Sequence, residues 1–152
     1  MKYLVIGGVA GGATVAARLR RLDEEAQIVL FERGEYVSYA NCGLPYYIGG
    51  EINDRKKLFV QTVQGFIDRF RIDIRTEQEV VAIHPDKQTV DVKNLKTGEI
   101  YSESYQKLAL SPGAEPLRPH IEGIHNAKIF TLRNVSDTDM IKSYVDGQKP
   151  KS

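Results

Sequence analysis

The apolar positions of this chain fall into short, nearly continuous runs and into stretches with a period near 3.6. Lys2-Tyr3-Leu4-Val5-Ile6 is a short apolar run with branched side chains and predicts a buried parallel strand that ends at Gly7-Gly8. Beyond Gly11-Gly12, Val15, Ala16, Leu19 and Leu22 recur at helical spacing, with Thr14, Arg18, Arg21 and Glu25 on another side. Ile28-Val29-Leu30-Phe31 predicts a second buried strand, which closes a βαβ unit and delivers Glu32 at its carboxyl end. Further on, Asn53-Asp54 starts a polar turn, and Thr62 predicts the cap of a short helix whose stripe of Val63, Phe66, Ile67 and Phe70 is core. Ile72-Asp73-Ile74-Arg75 reads as a short strand. Glu79 to Ile83, Gln88 to Val92 and Glu99 to Tyr101, joined by turns at 84–87 and 96–98, predict an antiparallel meander over about residues 79–104.

After the meander, Leu108-Ala109-Leu110 predicts a buried strand broken by Pro112-Gly113, and residues 115–125 an extended connector. Ile129-Phe130-Thr131-Leu132 predicts one more strand, and Ser136-Asp137-Thr138-Asp139 caps a final helix through Lys142 and Tyr144. The class is therefore α/β: a Rossmann-like parallel sheet with the helix after Gly12 on one face and the meander, in place of a helical crossover, on the other.

The first unit carries candidate chemistry. A turn that needs positive φ and close backbone approach selects glycine, and the helix starting there points unpaired N–H groups and a partial positive charge at a pyrophosphate. Glu32 lies about 20 residues past Gly12, where an acidic side chain takes the hydroxyls of an adenosine ribose and repels a 2′-phosphate. The match to G-x-G-x-x-G is imperfect, because Val9 holds the second glycine position between Gly7 and Gly12. A turn that binds nothing is the alternative that the glycines alone leave open.

Composition narrows the partners. A chain of 152 residues suits one domain with a real core, and a net charge of +1 with 27% charged residues gives no signature of nucleic acid or of an acidic membrane surface. The amino terminus superficially mimics a signal peptide, but Gly7-Gly8 interrupts the apolar run and Arg18, Arg20 and Arg21 follow; no apolar run approaches the length of a membrane span. The single cysteine, Cys42, excludes an internal disulfide and fits a reducing cytoplasm. Asn41 is the expected cap of a short helix beginning near Cys42, and a thiol at the positive end of a helix gains thiolate character. From the residue alone, a small buried hydrophobe is the other reading. His84, His120 and His125 fall in turns or connectors without metal-ligand spacing and read as surface residues.

Three segments together carry a resemblance to a known family. Gly7-Gly8-Val9-Ala10-Gly11-Gly12-Ala13, Phe31-Glu32-Arg33-Gly34 and Ser38-Tyr39-Ala40-Asn41-Cys42-Gly43-Leu44-Pro45-Tyr46 resemble the amino-terminal, FAD-binding part of the single-cysteine pyridine nucleotide-disulfide oxidoreductases, in particular coenzyme A disulfide reductases, including rhodanese-fused members, and persulfide reductases. The resemblance implies a flavoprotein in which NAD(P)H reduces FAD and the flavin passes electrons to Cys42. Oxidised Cys42 must then pair with an external sulfur or form a sulfenic acid, since no second cysteine exists. The implied cofactor site comprises Gly7, Val9, Ala10, Gly11, Gly12, Glu32, Arg33, Ser38, Asn41, Cys42, Val81, Ser111, Pro112, Gly113 and Arg133. Arg21, Ser38 and Asn41 are implied to meet the substrate, a small-molecule disulfide or persulfide based on coenzyme A, with Arg21 facing phosphate. On the residues alone Arg21 reads first as a solvated helix position, and only the resemblance gives it the phosphate role. Family peroxidases and oxidases carry a histidine where Ala10 stands, which argues against peroxide or water as the product.

Family members continue beyond a segment like Gln148-Lys149-Pro150-Lys151 into an NAD-binding domain, a returning FAD segment and a dimerisation domain, so the chain is expected to be an amino-terminal portion of a homodimeric enzyme. As such it is expected to hold FAD weakly and not to turn over by itself. Two other readings stay open at this point. One is an NAD-binding dehydrogenase domain, for which Glu32 is equally suited; the other is a noncatalytic nucleotide-binding module that senses redox state.

Overall fold

The computed structural model describes residues 1–148; the segment Lys149-Pro150-Lys151 lies outside the described residues. Met1–Tyr39 with Gln61–Gly113 form one unit, and Ala40–Val60 with residues 114–148 form a second.

In the first unit the two buried runs form as the pattern predicts. β1 (Lys2–Ile6) leads through the glycine turn into α1 (Ala10–Leu22), and β2 (Gln27–Glu32) returns beside it in parallel, Leu4 opposite Val29 and Ile6 opposite Phe31. In the second unit, a short turn of 3₁₀ helix, Asn41–Gly43, precedes α2 (Leu44–Ile48). Back in the first, α3 (Val63–Phe70) starts at Thr62, whose hydroxyl accepts from the Gly65 amide at 3.0 Å, and it ends at Arg71 in the left-handed conformation. β3 (Asp73–Thr76) pairs with β2, one residue later than the predicted strand, because Ile72 packs into the core ahead of the ladder. β4 (Gln78–His84), β5 (Thr89–Asn94) and β6 (Ile100–Ser104) form the meander, and β7 (Lys107–Leu110) returns to pair with β1.

The parallel sheet has the order β3-β2-β1-β7, and its alternating side chains feed two cores. Val5, Ile28 and Leu30 pack with Ala13 and Ala16 of α1 and with Phe66 and Phe70 of α3. On the opposite face Leu4, Val29 and Phe31 pack against Val90 and Val92 of the meander. The strand β7 is not buried as expected. It has a ladder partner on one side only, so Leu110 stays 58% exposed.

The second unit contains α4 (Val135–Gln148), which packs against α2. Two expectations are corrected here. Residues 129–132 form no strand: nothing offers them a ladder, and Phe130 instead packs on Tyr144 with ring centroids 5.1 Å apart and ring planes tilted by 55°. The cap of α4 is Asn134 rather than Ser136. Asn134 Oδ1 accepts from the Asp137 amide at 2.9 Å and Asp137 Oδ2 accepts from the Asn134 amide at 3.2 Å, a reciprocal capping box two residues earlier than the sequence suggests. Among the described residues no helix is long and apolar enough to cross a membrane.

Candidate functional site

The glycine turn between β1 and α1 is a backbone cradle. Gly7 has φ +92°, and a Cβ there would stand 2.0 Å from the Ser111 carbonyl oxygen. On Gly12 it would stand 1.7 Å from the Gly7 carbonyl oxygen, and on Gly11 3.1 Å from Ser111 Oγ. Val9, at the cap position, provides no side-chain hydrogen bond, and the first turn of α1 carries no acidic residue. Ala13 donates the first bond of the helix, to the Val9 carbonyl at 3.2 Å, so the amides before it have no helical partner and lie at the positive end of the helix dipole. The sequence places Ala10 and Gly11 here, both exposed, with no side chain large enough to cover those amides. Val9 in the second glycine position of the motif is thus accommodated, since close backbone approach is secured by Gly7, Gly11 and Gly12.

Glu32 ends β2 beside this turn. Its Oε2 accepts from the Gly8 amide and its Oε1 from the Gly34 amide, both at 2.7 Å. The turn itself is tied down by Gly7 donating to the Phe31 carbonyl at 2.8 Å and by Ser38, in the left-handed conformation at φ +49°, donating its amide to the Gly8 carbonyl at 2.9 Å. Ser111, donating to the Ile6 carbonyl at 2.8 Å, brings β7 and the following Pro112-Gly113 to the same strand end. Arg33 faces Glu79 at 3.8 Å. Val81 is the extra residue of a β-bulge: Val80 pairs with Val92 and Ala82 with Asp91, which leaves Val81 without a register partner and 48% exposed. Gly7, Gly11, Gly12, Glu32, Ser38 and Ser111 therefore converge as one site, with Val81 on the adjoining meander.

Arg21 is not part of that cluster. It sits in the last turn of α1, roughly 16 Å along the helix axis from Ala10. There an open recess of about 310 Å³ is lined by Arg20, Arg21, Glu24, Arg69, Phe70 and Arg71. The guanidinium groups of Arg21 and Arg69 both lie over the Phe70 ring, 5.8 and 5.2 Å from its centroid. Arg20, which the sequence pattern does not single out, is 9% exposed and donates to four backbone carbonyls: Phe70 at 2.7 Å, Arg71 at 2.8 Å, Glu24 at 2.6 Å and Asp23 at 3.2 Å. It binds the end of α1 to the end of α3 and so builds the recess floor. The run of basic residues at 18, 20 and 21 was the available signal, but nothing local distinguishes the buried arginine from its exposed neighbours.

In the second unit, Cys42 is exposed within the turn Asn41–Gly43. Asn41 is inside that turn and not its cap; Ala40 holds the cap position in extended conformation, and no side chain caps the turn. Gly43 donates to the Ala40 carbonyl at 2.9 Å and Ala40 to the Leu58 carbonyl at 2.8 Å, and a Cβ on Gly43 would stand 3.3 Å from Leu58 Cδ2. The thiol thus projects from a turn whose back is packed on Leu58, rather than being a buried hydrophobe. Arg133 of the same unit donates from Nε to the Ala114 carbonyl at 2.5 Å, and its amide donates to Asp137 at 2.8 Å. His84 ends β4 with Nε2 2.8 Å from Asp91 Oδ2, so it lies on a strand rather than in the turn expected for it. No group of three or more potential metal ligands occurs among the described residues.

A strand–glycine turn–helix–strand unit ending in a carboxylate, with a β-meander on the far face of the sheet, defines a Rossmann-like nucleotide-binding fold. The profile of the pyridine nucleotide-disulphide oxidoreductases matches residues 1–149, and the chain belongs to that family. It is 48% identical over 144 residues to a coenzyme A disulfide reductase of Staphylococcus aureus (strain JH9), an alignment covering 95% of this chain and 32% of the relative. Among solved structures, reduced Bacillus anthracis CoADR-RHD superposes with a TM-score of 0.94 at 60% identity, over 98% of this chain and 27% of that one. A NAD-dependent persulfide reductase from A. fulgidus superposes with a TM-score of 0.88 at 34% identity, over 97% and 28% of the respective chains. The chain thus spans about a third of the length of the curated relatives it matches.

Proposed function

We propose that this chain is the FAD-binding portion of a flavin-dependent NAD(P)H:disulfide oxidoreductase that reduces a coenzyme A-based disulfide or persulfide through Cys42. The observation that carries the reading is the cradle itself: three glycines where a Cβ would meet Ser111 or Gly7, at the uncapped start of α1, beside a carboxylate held by two amides. These residues fit the pyrophosphate and adenosine ribose of FAD. Gly7, Val9, Ala10, Gly11 and Gly12 would surround the phosphates and Glu32 the ribose, with Val81 near the adenine and Arg33, Ser38, Ser111, Pro112 and Gly113 completing the site. When bound, FAD supplies two-electron transfer from reduced nicotinamide to sulfur.

The protein's own contribution is the thiol. The Cys42 thiolate attacks one sulfur of the disulfide, a Cys42 mixed disulfide forms, and one thiolate leaves; two electrons and a proton then return Cys42 to the thiolate and release the second thiol. Within this chain no second cysteine competes for the mixed disulfide. Arg21, with Arg69 and Arg71 around the same recess, supplies guanidinium groups suited to the phosphates of coenzyme A, and Ser38 and Asn41 shortly precede the reacting Cys42 in sequence. The whole protein acts as a homodimer in the reducing cytoplasm, the compartment that a lone exposed thiol fits.

The thiol half-reaction can be tested without flavin. On incubation with coenzyme A disulfide, one equivalent of coenzyme A is expected to be released while the chain gains the mass of the other half on Cys42, and Cys42→Ser gains nothing. Arg21→Ala is expected to slow this reaction about tenfold while leaving cystine unaffected, the size of one lost charge-assisted contact. Equal rates with coenzyme A disulfide and cystine in the unsubstituted chain would overturn the substrate assignment. A flavin titration that is unchanged by Glu32→Gln and by Gly12→Val would overturn the cofactor assignment.

A further inference from the structure

We infer that Glu77 is a positioning residue for ribose recognition, holding the Gly34 amide on the Glu32 carboxylate from the junction between the parallel sheet and the meander. The inference rests on the proposed role of Glu32. A carboxylate offers about four acceptor positions. Gly8 and Gly34 each occupy one on Glu32, and where these two amides sit decides which way the remaining lone pairs face. Gly8 is fixed by the strand end and by the Ser38 amide on its carbonyl.

Gly34 lies in the loop after β2 and is fixed by one long-range contact of its own backbone. Its carbonyl accepts from the Glu77 amide at 3.1 Å. Glu77 is the single residue between β3 and β4 and has φ +57°, a left-handed conformation that a residue with a Cβ adopts only under constraint. The constraint is visible: the Glu77 carbonyl accepts from the Leu95 amide at 2.9 Å, and its carboxylate meets Lys96 Nζ at 2.5 Å. Leu95 and Lys96 belong to the β5–β6 turn, itself held by Asn94 Oδ1 accepting from the Lys96 and Thr97 amides at 2.9 and 3.2 Å. A continuous relay therefore runs from the Glu32 carboxylate through Gly34 and Glu77 into the meander. Gly34 permits it sterically, since a Cβ there would already press on Glu32 Oε1 at 3.1 Å. Lys96 is exposed and Glu77 half-buried, so solvent screens the side-chain pair and it contributes little; the left-handed backbone is what matters.

Affinities of the chain for ADP and 2′-deoxy-ADP test this, because their ratio reports the ribose contact and not general loosening. The unsubstituted chain is expected to prefer ADP by about tenfold, the scale of a hydrogen bond to a charged group, and Glu77→Gly, which adopts the left-handed conformation freely, to keep that preference. Glu77→Val, which cannot, is expected to reduce the preference to about twofold or less. Loss of both affinities in Glu77→Val with the ratio preserved would mean a merely structural role and would overturn the inference. If Glu77→Val does not fold, amide exchange of the unsubstituted chain decides: Glu77 N–H must become several-fold more protected with ADP than with 2′-deoxy-ADP, and equal protection overturns the inference. Glu32→Gln separates the two levels. If it leaves the ADP preference intact, the ribose reading fails and takes this inference with it; if it abolishes the preference while Glu77→Val does not, only the inference fails.

Discussion

A Cβ on Gly12 would lie 1.7 Å from the Gly7 carbonyl oxygen, so the end of β1 and the first turn of α1 meet backbone to backbone. No rotamer change relieves such an overlap, because both sides are main chain. Gly12→Ala is therefore expected to destabilise the chain by about 3 kcal/mol, at the upper end of overpacking costs, and to weaken nucleotide binding with it. Urea unfolding with and without ADP checks both; an alanine variant as stable as the parent would mean that the turn is wider than described.

Arg20 tests the other end of α1. Its guanidinium serves four carbonyls in a buried position, and Arg20→Ala leaves them without a charged donor. The expected loss is about 3 kcal/mol in urea unfolding, while Arg21→Ala, whose side chain is exposed, is expected within about 0.5 kcal/mol of the parent. Arg20→Lys should recover only part of the loss, since an ammonium cannot reproduce the planar fork. Nothing in the pattern of residues 18–22 predicts this contrast. It arises because Phe70 and Arg71, some fifty positions away, bring their carbonyls to Arg20 alone.

Glu103 gives the fold a pH dependence. Burial raises its affinity for a proton, but hydrogen bonds from Lys2 and Arg75 outweigh burial and hold its carboxyl below the usual carboxylate range. Arg75 also lies over the Phe31 ring at 5.4 Å, and its own pKa is raised against burial by Asp73, Tyr101 and Glu103. A lowered folded-state pKa means that the contribution is fully present above the ordinary carboxylate pKa of about 4.3 and is lost as pH falls through the lower folded value. The stability difference between the parent and Glu103→Gln is thus expected to be constant from pH 6 to 8 and to shrink steadily below about pH 4. Unfolding midpoints measured across that range check the sign; a difference that grows on acidification contradicts it.

Asn134 is the cap that local reading placed two residues late. Asn134→Ala is expected to destabilise the second unit by about 1 kcal/mol and Ser136→Ala to have almost no effect, as followed by thermal unfolding. Both positions satisfy the composition of a helix start, so residue type alone does not choose between them. The choice falls where the Asp137 carboxylate can return a bond to the Asn134 amide, which is a matter of chain path.

The amino-acid sequence by itself determined the β1–turn–α1–β2 unit, the position of Glu32, the Thr62 cap and the meander, because each rests on local physics: glycine's access to positive φ, short apolar runs set against a helical period, and a hydroxyl three residues from the amide it caps. Tertiary structure alone decided the rest. It put β7 at a sheet edge with Leu110 exposed, paired Phe130 with Tyr144 instead of with a strand, buried Arg20 and left Arg21 outside, and joined Glu32 through Gly34 to Glu77. Each of these depends on a partner distant in sequence. Burial and hydrogen bonding are properties of that partner's arrival, and no periodicity within one segment records it.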